Sequence, residues 1–175
     1  MVKKILVTGG AGYIGTSLVP KLLGLGYEVT VFDNLMVGGN QLLPFFRYEN
    51  FKFVRGDIRN ITELKDAVDG KDIIIHLAAL VGFPVCRMNP HLAYRFATAF
   101  GVSPRFRLDL LINDFSYKCI KDGYLVVYEK NYMRTFIHVS DIAECFVFGI
   151  ENMSKMMGDV FNVGDDTMNH SKEEV

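Results

Sequence analysis

The segment TGGAGYIG, residues 8–15, constrains the fold of this chain more than any other feature. It spaces Gly9, Gly12 and Gly15 three residues apart, after a short apolar run and before a segment whose apolar residues recur at helical spacing. This pattern predicts a strand, a tight turn and a helix. In that context Gly9 permits the turn, Gly12 lets the backbone approach a pyrophosphate, and Gly15 allows close packing of helix on strand.

An acidic residue at the end of the next predicted strand strengthens this interpretation. The segment YEVTVFD, residues 27–33, ends at Asp33, eighteen residues after Gly15. A carboxylate there can accept hydrogen bonds from both ribose hydroxyls of an adenosine, and its charge would repel a 2′-phosphate. Because the next basic side chain along the loop is Arg47, the sequence favours NAD over NADP. The alternative is a glycine turn that holds no anion, in another kind of α/β protein.

The rest of the first eighty residues predicts alternating strands and helices. Strands are predicted at 51–57 and 72–79, and the N-cap pair Asn60 and Glu63 predicts a helix over roughly 61–69. Continuous apolar strands that alternate with helices indicate a parallel sheet covered on both faces. The predicted fold class is therefore α/β, a doubly wound parallel sheet of the Rossmann-like type.

This alternation fails in the middle of the chain. Residues 89–95 predict the start of a helix, yet residues 96–100 predict a strand directly after it. A parallel crossover needs about a dozen residues or more, and this interval is too short to supply one. We therefore expect the middle βα units to be incomplete, with a block of sequence absent between about residues 94 and 96.

The second half of the chain again predicts helices and strands. Helices are predicted at 109–122, closed by Gly123, and at 140–153. Strands are predicted at 124–128, 135–139 and 160–164. Ser171 and Glu174 form an N-terminal capping box, but the sequence ends at Val175 before a helix can follow. We expect the C-terminal region to be incomplete as well.

Composition excludes several classes of protein. The chain has 175 residues, half of them apolar, and a net charge of −1, which fits one globular domain. Because its basic residues do not cluster, nucleic acid is not an expected partner. Cys86, Cys119 and Cys145 are odd in number and lack metal-ligand spacing, so we expect no disulfide framework, no metal site and a cytoplasmic location. No apolar stretch reaches the length of about 18 residues that a membrane span needs, and glycines interrupt the signal-like opening run.

Four histidines and one further acid are candidates for chemical roles. His76 lies in an apolar strand, and we expect it and His138 to be buried, satisfied side chains rather than catalytic ones. His91 and His170 lie in polar helix-start or loop contexts. Asp57 follows the third strand at the carboxyl edge of the sheet, where a carboxylate can meet an adenine amino group; an acid at the start of a helix is the alternative.

Taken together, these residues resemble the extended short-chain dehydrogenase/reductase family of NAD-dependent sugar-nucleotide epimerases and dehydratases. The matching segments lie in both halves of the chain: TGGAGYIG, VFDN at 31–34, GDI at 56–58, HLAA at 76–79, RTFIHVSDIA at 134–143 and GDVFNVG at 158–164. The resemblance implies that NAD is held by Gly9, Gly12, Tyr13, Ile14, Gly15, Asp33, Asn34, Asp57, Ile58, Leu77, Ala78 and Ala79.

The resemblance also implies a substrate and a division of the chain. Residues 1–95 would form the NAD-binding Rossmann half, and residues 96–175 the remaining strands and the substrate-side segment of the same domain. The expected substrate is a nucleotide-diphosphate sugar, epimerised or dehydrated through transient hydride transfer, and the expected assembly is a homodimer. The implied substrate residues are Arg134, which matches an arginine that grips the diphosphate, and Arg105, Arg107 and Asn113. Thr135 replaces the acid that usually follows that arginine, and all three arginines have an alternative role as solvated surface charges.

The catalytic residues of the family cannot be matched in the same way. The family places a serine or threonine and a YxxxK helix between the segments that match HLAA and FATAFG, but residues 80–95 contain no tyrosine–lysine pair. The catalytic residues are therefore unknown, and two functions stay open. The chain is either an enzyme whose catalytic segment is absent from these residues, or a catalytically silent protein that binds NAD or a nucleotide sugar without the Ser/Tyr/Lys triad.

A tyrosine–lysine pair does occur later, in SYKCIK at 116–121. Tyr117 and Lys121 share a helix face at this spacing, and Ser103 lies fourteen residues upstream. The same spacing recurs at Tyr48 and Lys52, which shows that it arises by chance in this composition. The later pair also lies beyond the strand that should follow the catalytic helix, so we predict that Tyr117 is a helix-packing aromatic residue.

Overall fold

The structure is a computed structural model that describes residues 2–78 and 93–175. The described residues form two compact units. The first contains residues 2–78 together with Ser103–Arg105, and the second contains residues 93–102 and 106–175. The chain therefore leaves the second unit for three residues, contributes them to the first unit, and then returns.

The first unit is a four-stranded parallel sheet with helical connections. Its elements are β1 (Lys4–Thr8), α1 (Gly15–Gly24), β2 (Glu28–Asp33), a 3₁₀ helix (Asn40–Arg47), β3 (Phe51–Arg55), α2 (Ile61–Val68) and β4 (Ile73–His76). The strand order is β3-β2-β1-β4, and each neighbouring pair is parallel. This is the strand order of one half of a Rossmann-like fold, so the predicted fold class is confirmed.

Burial explains why the two central strands are continuously apolar. All of Ile5, Leu6 and Val7 in β1 are fully buried, as expected of a central parallel strand, in which side chains on both faces are covered. The outer strands are less covered, because Val54 of β3 is 40% exposed and Ile74 of β4 is 49% exposed. The expectation of a sheet covered on both faces therefore holds for the central strands of the described unit.

Specific side chains set the ends of the helices in this unit. Helix α1 begins at Gly15, after the glycine turn, because Gly9 has a φ of +69° that no helix can include. Helix α2 begins as predicted, since the Asn60 side chain accepts hydrogen bonds from the N–H groups of Thr62 and Glu63. The Glu63 carboxylate does not return to Asn60 but accepts from the N–H of Asp57 at 3.1 Å.

The second unit contains two small sheets and three helices. Its elements are β5 (Ala93–Phe96), β6 (Thr98–Phe100), α3 (Leu111–Asp122), β7 (Met133–His138), α4 (Val139–Glu151), α5 (Met153–Met156), β8 (Val160–Val163), a 3₁₀ turn (Asp166–Met168) and β9 (Asn169–Ser171). Strand β5 pairs with β8 in parallel, while β7 pairs with β6 in parallel and with β9 in antiparallel orientation. Helix α3 ends as predicted at Gly123, which has a φ of +75°.

The prediction of a helix at 89–95 is wrong for residues 93–95, which belong to β5; residues 89–92 lie outside the described residues. Tyr94 and Phe96 alternate along the strand and share one face, with ring centroids 5.6 Å apart. The Tyr94 ring also meets the Phe146 ring of α4 edge-on at 5.4 Å, and its hydroxyl donates to the Cys145 carbonyl at 2.8 Å. This aromatic packing favours a strand conformation of these residues instead of the predicted helix.

The predicted strand at 96–100 is two strands in two sheets. Phe96 pairs with Val163 of β8, whereas Thr98 pairs with Phe136 of β7. Ala97 lies between them and donates its N–H to the Val163 carbonyl at 3.0 Å. Strand β5 runs without interruption through the place where we expected absent sequence, so the polypeptide closes that interval with regular strand pairing.

The prediction of a strand at 124–128 is wrong. Residues 124–127 have no regular secondary structure, and the side chains of Tyr124 and Tyr128 are 70% and 77% exposed. Lys172 donates to the Tyr128 carbonyl at 2.9 Å, and Glu129 follows with a φ of +52°. The Tyr128 carbonyl is therefore bound by a lysine side chain and not by a neighbouring strand, although the apolar sequence predicted a strand.

Across residues 2–78 and 93–175, none of the helices combines the length and the apolar character that a bilayer crossing would demand.

The Gly9 turn yields a direct test of the fold. We predict that Gly9→Ala destabilises the protein by about 1–3 kcal/mol, because alanine disfavours the left-handed conformation. Its Cβ would also lie 2.5 Å from the backbone nitrogen of Ala78. The free energy of unfolding in urea measures the effect.

The matched control is Gly24→Ala, at the last residue of α1, where an added Cβ meets no atom within 4 Å. We expect this change to be neutral or stabilising by up to about 1 kcal/mol. Equal losses of stability in the two variants would contradict the role assigned to the Gly9 turn.

Candidate dinucleotide-binding site

The glycine turn joins β1 to α1 and is enclosed by backbone on one side. The N–H of Gly9 donates to the Phe32 carbonyl at 2.9 Å, and that of Gly12 donates to the Gly9 carbonyl at 3.0 Å. A Cβ at Gly15 would lie 2.6 Å from the Gly10 Cα, which shows how closely the first turn of α1 packs on the loop. The roles predicted for Gly9 and Gly15 agree with these contacts.

The side of the turn at Gly12 is open. A Cβ there would meet only the Gly9 carbonyl oxygen, at 3.1 Å, so the space in front of the backbone is free of other atoms of the described residues. Ile14 occupies the N-cap position of α1 and has no side-chain acceptor, and the first helical turn carries no acidic residue. The N-terminus of α1 therefore presents its N–H groups and partial positive charge without a side-chain cap.

Two other helices are capped by their own side chains, whereas α3 has no side-chain cap but carries Asp114 in its first turn. Asn60 caps α2, and the Nδ1 of His138 accepts from the Ser140 N–H to cap α4. Among the described α-helices of eight or more residues, α1 is thus the one with neither a side-chain cap nor an acidic residue in its first turn, an arrangement that suits an external acceptor such as a pyrophosphate. Tyr13 lies next to it and is 6% exposed.

Asp33 is held at the carboxyl end of β2 by two backbone donors. One carboxylate oxygen accepts from the Ala11 N–H at 3.0 Å, and the other accepts from the Leu35 N–H at 2.8 Å. Gln41 supports the same region by donating to the Ala11 carbonyl at 2.8 Å. Each oxygen keeps one lone pair for a further donor, so the geometry leaves Asp33 able to accept from ribose hydroxyls.

Asn34 and Asp57 lie together, as the predicted cofactor site requires. The Asn34 amide donates to the Asp57 carboxylate at 3.3 Å, and the Arg59 guanidinium donates to both carboxylate oxygens at 2.9 and 2.7 Å. The pKa of Asp57 lies well below its ordinary value of 3.8 because hydrogen bonds stabilise the charged carboxylate. In decreasing order of effect, they come from the Arg59 side chain, the Arg59 backbone N–H and the Asn34 side chain. Asp57 is therefore ionised at neutral pH and already engaged by an arginine.

Ile58 contributes more to the core than to the edge of the sheet. Its side chain packs, with Leu64 and Val68, against the buried cluster of Leu6, Phe32 and Ala67. A contact from Ile58 to a bound ligand would therefore come from its backbone or from the exposed part of its side chain.

The end of β4 is tied to the end of β1. The Leu77 N–H donates to the Thr8 carbonyl at 3.0 Å, and the Ala78 nitrogen lies 3.5 Å from the Thr8 hydroxyl. Leu77 and Ala78 thus flank the glycine turn, whereas Ala79 lies outside the described residues. The prediction that His76 is buried is wrong, because His76 is exposed; it is nevertheless satisfied by the Thr8 hydroxyl, 2.7 Å from its Nδ1.

The predicted substrate residues are divided between the two units. Arg134 is exposed on β7 opposite His170 of β9. Arg107 forms a bidentate ion pair with Asp109. Asn113 is buried in the second unit, and its amide binds the backbone of residues 101 and 107. Arg105 belongs to the first unit, so the role of these four in substrate binding stays a prediction.

Ser103 and the pair Tyr117 and Lys121, which we did not expect to be catalytic, have other partners in the structure. Ser103 is 4% exposed, and its hydroxyl donates to the Tyr13 carbonyl at 2.7 Å. Tyr117 and Lys121 share a face of α3 as predicted, but the Lys121 ammonium lies over the ring, 5.4 Å from its centroid. Tyr117 is 44% exposed, so the prediction that it packs a helix holds only in part.

Three residues near the glycine turn and the adjacent carboxylates were not predicted from the sequence. Thr16 bonds to Gly12 and Ser103, Gln41 supports Ala11, and Arg59 pairs with Asp57. A threonine just inside a helix commonly bonds back to a carbonyl four residues earlier, so Thr16 could have been identified in part. The partners of Ser103 and Gln41 lie far away in the sequence and carry no local pattern. No group of three histidine, cysteine, aspartate or glutamate side chains in the described stretches could hold a metal ion.

The state of Asp57 predicts a dependence of stability on pH. Its pKa is lower in the folded protein than in the unfolded chain, so the unfolded chain binds the proton more readily and acid favours unfolding. Its contribution is complete above its ordinary pKa of 3.8 and is lost as the pH falls below that value. The pair is solvent-exposed, which keeps this contribution small.

We expect the free energy of unfolding of the unaltered protein to fall more steeply than that of Asp57→Asn between about pH 5 and pH 3. Urea titrations at a series of pH values measure both slopes. Asp66→Asn removes an exposed carboxylate from α2 and should track the unaltered protein. Parallel curves for Asp57→Asn and the unaltered protein would refute the assignment.

Comparison with known proteins agrees with this geometry. The model of the NAD dependent epimerase/dehydratase family matches residues 5–95, more than half of the chain. A dTDP-glucose 4,6-dehydratase of Streptomyces niveus is 44% identical over 84 residues, which are 43% of this chain and 25% of that protein. A UDP-glucose 4-epimerase of Corynebacterium glutamicum is 34% identical over 98 residues, 55% of this chain and 29% of that protein. The matched region thus spans between a quarter and a third of these relatives.

Solved structures share the fold over nearly the whole chain. The dTDP-glucose 4,6-dehydratase of Bacillus anthracis in complex with NAD has a TM-score of 0.80 at 19% identity, covering 99% of this chain and 78% of that one. The UDP-glucose 4-epimerase of Thermotoga maritima with UDP-glucose has a TM-score of 0.77 at 18% identity, covering 97% and 79%. At these identities the likeness establishes the fold.

The family match confirms both the resemblance and the prediction of NAD, the cofactor from which the family takes its name. An uncapped helix terminus behind an open glycine turn, with a carboxylate fixed beside it, is what that cofactor requires. The chain belongs to the NAD dependent epimerase/dehydratase family.

Proposed function

We propose that this chain binds NAD at the glycine turn, and that the whole protein uses the cofactor to epimerise or dehydrate a nucleotide-diphosphate sugar. The observation that carries the proposal is the N-terminus of α1, which has no side-chain cap and faces the open side of Gly12. Its supporting comparisons are relatives named for reactions on dTDP-glucose and UDP-glucose.

Different residues of the first unit would contact different parts of the cofactor. The backbone N–H groups around Tyr13 and Ile14 would receive the pyrophosphate, as a helix N-terminus does. Asp33 would accept from the adenosine ribose, and Asn34 and Asp57 would border the adenine. Leu77 and Ala78 would lie along the cofactor at the end of β4, where they flank the turn.

The charges around Asp33 support NAD over NADP. Asp33 itself would repel a 2′-phosphate. Arg59, close to Asp57 in the sequence, donates to both oxygens of that carboxylate. The charge of this arginine is therefore already paired and less available to a phosphate.

The bound cofactor would supply a hydride acceptor and donor for transient oxidation of the sugar. This chain's own contribution on the substrate side is cationic, since Arg134, Arg105 and Arg107 can attract a diphosphate. Arg134 is the strongest of these, because it is exposed on β7 and no carboxylate ion pair is recorded for it among the described residues. A homodimer, which the resemblance implies, is part of the same proposal.

The Asp33 carboxylate provides the test of cofactor binding. We predict that Asp33→Asn lowers the affinity for NAD by about 10-fold or more, because a hydrogen bond to a charged group is worth about 1.5–3 kcal/mol. The same change should reduce the ratio of the dissociation constant for NADP to that for NAD. Calorimetric titration gives both dissociation constants.

Asp69→Asn is the matched control, since it removes an exposed carboxylate from the same unit, and we expect it to bind NAD normally. A titration in which the unaltered chain releases no heat with NAD, and shows no change in melting temperature, would disprove the proposed function.

A second candidate function is a catalytically silent protein that binds NAD or a nucleotide sugar. Two observations favour it: strand β5 continues without a break across residues 94–96, where we expected a block of sequence to be absent, and the family match ends at Arg95. Tyr117 and Lys121 do not replace the missing pair, because the ammonium lies over the ring face.

Turnover distinguishes the two candidates. With NAD and either UDP-glucose or dTDP-glucose, an enzyme should produce an epimerised or dehydrated sugar that chromatography of the nucleotides detects. A silent protein should bind NAD and leave the sugar unchanged. If turnover occurs and is lost in Tyr117→Phe while NAD binding is retained, the tyrosine of α3 would be catalytic after all.

A further inference from the structure

We propose that three side chains of the first unit act as positioning residues for the dinucleotide, because they bind the backbone carbonyls of the glycine turn. They are Gln41, Thr16 and Ser103, and the carbonyls belong to residues 11–13. This role rests on the proposed binding of NAD. It goes beyond that proposal by assigning part of the phosphate recognition to side chains behind the N–H groups that would contact the ligand.

The Tyr13 carbonyl is bound by a buried hydroxyl from a distant part of the chain. Ser103 is 4% exposed, and its hydroxyl donates to the Tyr13 carbonyl at 2.7 Å. The Thr16 hydroxyl, also buried, lies 2.9 Å from the Gly12 carbonyl and 2.8 Å from the Ser103 hydroxyl. Thr16 has one hydroxyl proton, so it either binds the Gly12 carbonyl or supports Ser103. In both arrangements the Ser103 proton is directed at the Tyr13 carbonyl.

The Ala11 carbonyl is bound by an amide from the loop after β2. The Nε2 of Gln41 donates to the Ala11 carbonyl at 2.8 Å and to the Gly38 carbonyl at 2.9 Å, which uses both of its protons. The N–H of Ala11 donates to the Asp33 carboxylate at 3.0 Å. Gln41 therefore holds the backbone at the residue from which Asp33 receives one of its two hydrogen bonds.

Two of the bound carbonyls belong to the peptide groups of the predicted pyrophosphate site. The Gly12 carbonyl shares its peptide plane with the Tyr13 N–H, and the Tyr13 carbonyl shares its plane with the Ile14 N–H. Both N–H groups precede the first i to i−4 hydrogen bond of α1, which joins the Thr16 N–H to the Gly12 carbonyl at 2.9 Å. In a trans peptide the carbonyl and the N–H point in opposite directions. A side chain that holds the carbonyl therefore turns the N–H toward the opposite side, where an anion would bind.

Hydrogen bonds of this kind favour phosphate binding in two ways. A hydrogen bond to a carbonyl polarises the N–H at the other end of the same peptide, which makes that N–H a stronger donor. It also restricts rotation of the peptide, so that less conformational freedom is lost when the ligand binds. Ser103 and Thr16 should therefore act on the phosphates. Gln41 should act on the ribose, because the backbone that it holds binds Asp33.

A comparison of NAD with adenosine separates these effects from general packing, since adenosine has the ribose and the base but no phosphate. We expect Ser103→Ala and Thr16→Val each to weaken NAD binding by about 3–10-fold and to leave adenosine binding unchanged. Gln41→Met and Asp33→Asn should each weaken both ligands by a similar factor. Calorimetric titration measures the NAD affinity, and NMR titration measures the affinity for adenosine.

Three control variants accompany these measurements. Thr16→Ser keeps the hydroxyl and should bind NAD with the affinity of the unaltered chain. Ser116→Ala makes the same substitution as Ser103→Ala at an exposed position of α3, and Asn40→Ala changes the exposed residue before Gln41; both should bind the two ligands normally. If a variant is partly unfolded, the number of binding sites falls, whereas the ratio of the two dissociation constants still reports on the folded protein.

The outcomes separate this role from the proposed function. If the unaltered chain does not bind NAD, both are overturned. If it binds NAD, and Ser103→Ala and Thr16→Val either bind NAD normally or lose affinity for NAD and adenosine equally, only the positioning role of the two hydroxyls is overturned. Normal binding of both ligands by Gln41→Met would overturn the role assigned to Gln41.

Discussion

The close approach of the first turn to the end of β4 is the constraint on which the first unit depends. Gly9 has no side chain because the backbone of Ala78 occupies the place of a Cβ, and it adopts a left-handed conformation that turns the chain sharply. That turn directs the start of α1 toward the carboxyl edge of the sheet and leaves its first N–H groups without a side-chain cap. The packing of the turn against β4 therefore also shapes the proposed anion site.

Two carboxylates near this site show how environment assigns different roles to the same chemical group. Asp33 is held by two neutral backbone donors, which fix its position and leave its charge uncompensated by any recorded ion pair in the described residues. Asp57 is held by a guanidinium, which neutralises it. The first arrangement suits recognition of hydroxyl groups, whereas the second mainly organises the loop before α2.

The sequence could predict those structural features that depend on residues close together along the chain. The glycine turn, the N-cap at Asn60 and the C-cap at Gly123 are local, and each was identified with its physical reason. Strand β5 was missed because its stability comes from β8 and from α4, more than fifty residues away. The same limit applies to the site, where Gly9 and Asp33 follow a linear motif, but the contact between Ser103 and Thr16 joins residues 87 positions apart.

The pairing of β5 with β8 has a consequence for the protein as it is synthesised. The strand at 93–96 leaves the ribosome well before its partner at 160–163, so its unpaired edge and the rings of Tyr94 and Phe96 meet water in the interval. An open apolar strand of this kind is a substrate for chaperones and a nucleus for aggregation. Slow translation of the intervening segment would lengthen that exposure, which makes the yield of folded protein sensitive to the rate of elongation.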